Sequence, residues 1–113
     1  SRLFAITRAM QRRAGNIPIV GSGYSWLRQF WPFAGAANLK SQGCGFVGLG
    51  RSVFAYPSAP QDLLKEGRLH PERCCIACSM CTQLMRDGGM AGCVVRDPKV
   101  YAPLYREYCA RKR

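Results

Sequence analysis

The order of apolar patterns along the chain predicts an α/β fold with parallel strands. Two short apolar runs bounded by turn-forming residues, within 16–23 and 45–52, have the composition of buried strands. A stretch with helical spacing precedes the first run, another separates the two, and a third follows the second. Because a helical crossover between neighbouring strands returns the chain to the same end of the sheet, the two strands are expected to be parallel.

The first helix and the first strand are predicted from the opening "LFAITRAMQRRAG" and "NIPIVGSG". Apolar residues recur at helical spacing in the first stretch, and Gly15 marks the end of the helix. The second stretch holds β-branched residues between turn formers, which indicates a strand buried on both faces.

The second helical stretch, 24–42, carries a group of aromatic residues, and Pro32 is expected to kink or split it. These aromatic side chains are predicted to pack in the core or to face a barrel: Trp26, Phe30, Trp31 and Phe33. The run "GFVGLGRS" repeats the strand pattern. A third helix is then predicted through Asp62 to Glu66, closed by Gly67.

Two strands alone do not form a stable sheet with both faces covered. We therefore expect the chain to be one end of a larger α/β protein, or to pair with copies of itself. Without neighbouring strands, several apolar residues of the two runs lose their packing partners, and self-association is the expected remedy. These residues are Ile17, Ile19, Val20, Phe46 and Val47.

The length of 113 residues allows one modest domain, and its net charge of +11 favours ligands that carry phosphate. Neither a long apolar span nor a signal peptide is present in the sequence, so a cytoplasmic protein is expected. Nucleic-acid binding is an alternative function. It is disfavoured because the basic residues cluster at the two ends without interleaved aromatic residues.

Both predicted strands end in glycine-rich turns, "GSGYS" and "GLGRS". Such turns expose backbone N–H groups close to a helix start, where phosphate is favoured, and Arg51 adds a guanidinium fork. Tight packing is the other explanation for these glycines, since neither turn matches a dinucleotide or P-loop motif.

Four of the seven cysteines lie in "CCIACSMC", residues 74–81, and a fifth is Cys93. Thiolates at two-residue gaps suit an iron–sulfur cluster, a zinc ion or disulfides, and the crowding of three ligands favours the cluster. Cys44 and Cys109 are predicted to be buried small hydrophobes. His70 is predicted to lie at the surface of a loop and not to be a catalytic base.

Three segments of the chain resemble, in the same order along the sequence, the C-terminal end of the Old Yellow Enzyme family of NADH:flavin oxidoreductases. The similar branch of that family contains 2,4-dienoyl-CoA reductase and trimethylamine dehydrogenase. The resemblance covers "IPIVGSGYS", "GFVGLGRSVFAYPSAPQDLLKEGRL" and "RCCIACSMCTQLMRDGGMAGCVVRDP". It implies the last two strand–helix units of an incomplete (β/α)8 barrel in 1–67, an iron–sulfur-binding loop in 68–98, and a basic C-terminal helix in 99–113.

The resemblance also implies cofactors and site residues. The FMN phosphate would be held by Ser22, Gly23, Gly50 and Arg51. A [4Fe–4S] cluster would be bound by Cys75, Cys78, Cys81 and Cys93, with Cys74 as an extra neighbour. The whole enzyme would pass hydride from NAD(P)H through FMN to an electron-poor C=C bond of a small-molecule substrate such as an enone or enoyl thioester. The family's proton-donating residues lie on earlier strands, so the chain alone is expected to be inactive. A small zinc or iron–sulfur module without flavin is the alternative.

Overall fold

The computed structural model describes residues 1–109, and in this range the chain is mainly helical with two short parallel strands. It divides into two compact units, Ser1–Gly50 and a second that begins at Arg51. The mixed helix and strand content predicted from the sequence is confirmed. The last residues of the predicted basic helix, 110–113, lie outside the described range.

The first unit begins with helix α1, Arg2–Ala14, which ends at Gly15 as predicted. The Ser1 side chain caps its first turn by accepting a hydrogen bond from the N–H of Phe4. Strand β1, Val20–Gly21, pairs in parallel with strand β2, Phe46–Val47. Each strand is shorter than its apolar run. In the first run Pro18 has no N–H to donate to a ladder, which confines regular pairing to the residues after it.

Between the strands, the predicted helix is divided into a 3₁₀ helix, Ser25–Phe30, and helix α2, Trp31–Lys40. The prediction that this stretch is split is confirmed, but the break lies before Pro32. Arg28 has a φ of 52° and interrupts the helical backbone. Pro32 lies in the first turn of α2, where its fixed φ fits and its missing N–H leaves no hydrogen bond unmade.

The core of the first unit is small and centres on Tyr24, which is 1% exposed. The Tyr24 ring contacts Phe4 of α1 with 4.6 Å between ring centroids, and its hydroxyl accepts a hydrogen bond from Asn38 Nδ2 at 2.8 Å. Cys44 is buried beside it, as predicted, with its sulfur 3.9 Å from the Tyr24 hydroxyl oxygen.

Trp26, Phe30 and Phe33 are 58%, 59% and 64% exposed, so the first predicted alternative, a core position within this chain, is not found for them. Two strands and two helices do not supply enough surface to cover them. Residues of the strand runs are also exposed, as expected for strands without neighbours: Ile17, Val20 and Phe46.

The second unit contains helices α3, α4, α5 and α6 and one 3₁₀ turn. Their bounds are Ser52–Ala55, Ala59–Glu66, Met80–Arg86, Pro98–Tyr108 and, for the 3₁₀ turn, Pro71–Arg73. Helix α4 ends at Gly67, whose φ of 71° is the left-handed conformation that glycine adopts without steric cost. Helix α4 and its glycine cap confirm the third predicted helix.

Helices α5 and α6 form one buried apolar cluster of the second unit. Leu84 of α5 is fully buried against Val94 and Cys109, and side chains of α6 surround this cluster. The prediction that Cys109 is a buried small residue is confirmed. In residues 1–109, none of the helices combines the length and the hydrophobicity that crossing a bilayer requires.

Candidate metal centre

The four predicted metal-ligand cysteines all lie in the second unit. Cys75 and Cys78 belong to an irregular segment that follows the 3₁₀ turn, Cys81 lies in the first turn of α5, and Cys93 lies in the connection to α6. Cys78 is exposed, and the other three are half-buried. Reagents and metal ions in solution can therefore reach this part of the chain.

The packing of α5 against α6 holds two of these cysteines in place. Cys81 lies one helical turn before Leu84, and Cys93 directly precedes Val94; both of these apolar neighbours are in the buried cluster. Because the cluster fixes the backbone next to each cysteine, Cys81 and Cys93 gain positions that the irregular segment alone could not supply.

Gly92 gives the Cys93 segment close contact with α6. A Cβ atom at position 92 would overlap the ring of Tyr101. Only glycine lets the backbone pass this ring, so the residue before the predicted ligand is fixed by shape.

Around Cys78 the backbone turns sharply. Ala77 and Ser79, on either side of it, have φ values of 58° and 63°, which are uncommon for residues other than glycine. The N–H of Ala77 donates to Cys75 Sγ at 3.3 Å. In the last segment the N–H of Arg96 donates to Cys93 Sγ at 3.2 Å. Backbone donors to sulfur stabilise negative charge on a thiolate, which is the form that binds iron or zinc.

Cys74, predicted to be an extra neighbour, is placed differently from Cys75. Its side chain is 4% exposed, and its thiol donates to the carbonyl oxygen of His70 at 3.4 Å. The adjacent side chain of Cys75 is half-buried and accepts the Ala77 N–H. The two neighbouring thiols therefore have different surroundings.

The residues predicted to hold a phosphate follow the two strands. Ser22 and Gly23 come directly after β1, and Gly50 lies three positions after β2, so in this parallel pair all three follow carboxyl ends of strands. All three are exposed. A Cβ atom at Gly50 would have no neighbour within 4 Å, so a ligand can approach its backbone.

Arg51, the fourth predicted phosphate residue, contacts the cysteine segment. Its Nη1 donates to Ser79 Oγ at 2.8 Å and lies 3.4 Å from Thr82 Oγ1. The next residue, Ser52, is 8% exposed, and its hydroxyl has no hydrogen-bond partner within the described range.

A second group of polar side chains was missed from the sequence. Among residues 1–109, Asp62, Glu66 and His70 place one ligand atom each within 4.8 Å of one another, and the cysteines form no group that meets this criterion. The sequence signal for this group is the spacing of two carboxylates and an imidazole at intervals of four residues. Such spacing places the three side chains on one side of α4 and of its C-terminal end.

Hydrogen bonds join the members of this polar group to one another and to neighbouring residues. His70 Nε2 lies 2.6 Å from Glu66 Oε2, and Asp62 accepts from the hydroxyl of Tyr56 and, at 3.2 Å, from Arg73. The Tyr56 hydrogen bond holds the pKa of the Asp62 carboxyl below its ordinary value, with Arg73 acting in the same direction. Burial raises the pKa of Tyr56. These contacts join α4 to the 3₁₀ turn. They therefore stabilise the backbone that directly precedes Cys74.

His70 is half-buried and is paired with Glu66 across the end of α4. Its place in a connection agrees with the predicted loop position, but the side chain is half-buried and not at the open surface. The arrangement of the second unit is thus a thiol-rich segment supported on one side by the α5–α6 core and on the other by this polar group.

Comparison of the chain with models of protein families, with curated proteins and with solved structures gives no match.

Proposed function

We propose that residues 68–98 bind a [4Fe–4S] cluster through Cys75, Cys78, Cys81 and Cys93. The chain is then the C-terminal portion of an FMN-dependent oxidoreductase, with the incomplete (β/α)8 barrel that the sequence resemblance implies. In such an enzyme the cluster supplies one-electron transfer to or from the flavin.

One observation carries the proposal. The sulfur atoms of the first and last predicted ligands, Cys75 and Cys93, each accept a backbone N–H at 3.2–3.3 Å. Hydrogen bonds to the sulfurs are among the contacts by which proteins stabilise iron–sulfur clusters and tune their potentials.

The flavin part of the proposal depends on the glycine-rich turns. Exposed backbone at Ser22, Gly23 and Gly50 and the guanidinium of Arg51 are suited to a phosphate. The reducing equivalents come from NAD(P)H, and the substrate is a small molecule with an electron-poor C=C bond. Since the proton-donating residues of the resembling family lie upstream, the chain binds and relays but does not complete the reaction alone.

The exposed apolar face of the first unit supports self-association of the isolated chain. This face includes Ile17, Val20 and Phe46 around the two-stranded sheet. Burying it against a second copy removes apolar surface from water and covers open strand edges. Size-exclusion chromatography with light scattering measures the mass; a monomer at all concentrations contradicts this part of the proposal.

Metal and flavin analysis of protein prepared without oxygen tests the function. We expect about four iron and four sulfide per chain, a brown colour that bleaches on reduction, and loss of iron in the Cys78→Ser variant. Cys44→Ser is the matched control, because it removes a thiol of the other unit and should keep the iron. One equivalent of zinc without iron would refute the cluster and favour a small zinc module.

A further inference from the structure

Arg96 joins the two separated parts of the cysteine set. Its Nε and Nη2 both donate to the carbonyl oxygen of Cys74, at 3.1 and 3.0 Å. Its own N–H donates to Cys93 Sγ. One half-buried residue therefore contacts the peptide just before Cys75 and the sulfur of Cys93, although these segments lie far apart in the sequence.

The first cysteine segment has an irregular backbone, and at its far end the Arg51 side chain donates to Ser79 Oγ. Residues 74–79 lie between the 3₁₀ turn and α5 and have no regular secondary structure. The α5–α6 core fixes the backbone near Cys81 and Cys93 but includes no residue of 74–79. The guanidinium fork of Arg96 ties the Cys74 carbonyl to the Cys93 turn.

We propose that Arg96 is the positioning residue of the metal centre: its fork on the Cys74 carbonyl holds the Cys75 segment in register with Cys93, so that both sulfurs belong to one site. This inference rests on the proposed cysteine-bound metal. It assigns to Arg96 an outer contact that carries none of the metal bonds itself.

Geometry and charge make separate predictions for this contact. Two nitrogens of one planar guanidinium donate to a single carbonyl oxygen, which the lone ammonium of lysine cannot reproduce. A role for positive charge alone would be preserved in Arg96→Lys. A role for the fork is lost in both Arg96→Lys and Arg96→Gln. The comparison of the two variants therefore separates positioning from simple electrostatic attraction.

The experiment uses the full chain and two probes, iron with sulfide and Co²⁺. The iron-loaded wild type, Arg96→Lys, Arg96→Gln and Arg106→Gln are mixed with a ferrous chelator, and the rate of iron release is measured. Arg106 is the matched control because it is an exposed arginine of α6 in the same unit. In parallel, the thiolate-to-cobalt charge-transfer absorption of each protein counts the sulfur ligands on Co²⁺.

We expect both Arg96 variants to release iron faster by on the order of 10- to 100-fold, as for other outer contacts of metal ligands. We also expect them to show three thiolates on Co²⁺ where the wild type shows four, with Arg106→Gln unchanged. Wild-type release rates and four thiolates in both Arg96 variants would overturn the inference. Retention of four thiolates in Arg96→Lys alone would also overturn it, in favour of a charge effect.

Failure of the proposed cysteine-bound metal site has a different signature. In that case the wild type itself takes up neither iron nor Co²⁺ through its thiols, and the inference falls with the site. If the wild type binds metal, and the Arg96 variants release iron and ligate Co²⁺ as the Arg106→Gln control does, the site stands. Only the positioning role of Arg96 is then refuted.

Discussion

Replacing Leu84 by alanine tests whether the α5–α6 core supports the cysteine centre. Leu84 is fully buried and contacts Val94 and Cys109, while Leu64 on α4 is 89% exposed. Both substitutions shorten the same side chain within a helix of the same unit. Helix propensity therefore changes equally in the two variants, and the difference between them isolates the effect of burial.

The expected loss for Leu84→Ala is about 2–5 kcal/mol, because the transfer of the side chain and the cavity left behind both contribute. For Leu64→Ala we expect about 0.5 kcal/mol or less. A unit of about 60 residues has a total stability on the order of 3–9 kcal/mol. Loss of Leu84 therefore removes a large part of the stability of the second unit and weakens the hold on Cys81 and Cys93.

Two assays measure this loss. Urea unfolding followed by far-UV circular dichroism gives the free energy of unfolding. Alkylation of Cys109, which is 1% exposed in the same cluster, reports opening of the second unit. At about 1.4 kcal/mol per factor of ten, alkylation in Leu84→Ala should be at least roughly 30-fold faster than in the wild type. Equal losses in the two leucine variants would refute the assignment of this core.

Three further perturbations have defined outcomes. Gly92→Ala should lower the urea midpoint and the Co²⁺ affinity, because the new methyl group overlaps the Tyr101 ring; an unchanged midpoint would contradict that packing. Because the pKa of Asp62 is lowered on folding, its contribution to stability is present above about pH 4 and is lost as the pH falls through the lowered value. Tyr56→Phe should therefore raise the Asp62 pKa measured by carboxyl NMR and flatten the acid dependence of stability, and an unmoved pKa would contradict the hydrogen bond. Gly50→Ala should leave the urea midpoint unchanged, since its methyl group meets open space, and should weaken FMN binding to the full enzyme if phosphate approaches this backbone; equal FMN affinity would contradict the phosphate turn.

Local patterns predicted the helices well. The apolar spacing before Gly15 and the position of Gly67 locate the ends of α1 and α4, because helix ends depend on nearby backbone conformations. The sequence predicted the positions of the strands but not their lengths, because strand length depends on pairing partners and, in the first strand, on Pro18.

Burial and long-range contacts were harder to predict. Phe33 is of a residue type that is usually buried, yet its side chain is exposed because nothing in the described residues covers it. The role of Arg96 was also missed. An arginine in a basic sequence carries no local sign of its partner, and its contact with the Cys74 carbonyl exists only once two distant segments meet.

Burial of Cys74 has a consequence for repair after exposure to air. A thiol must be accessible to take part in disulfide exchange, and the Cys74 sulfur is covered while Cys78 is exposed. We expect oxidation of the metal-free chain to give disulfides among Cys75, Cys78 and Cys81 and to leave Cys74 unmodified, which peptide mass mapping can check. Because exposed disulfides are the more easily reduced ones, we expect mild reductant to restore the thiols of this segment.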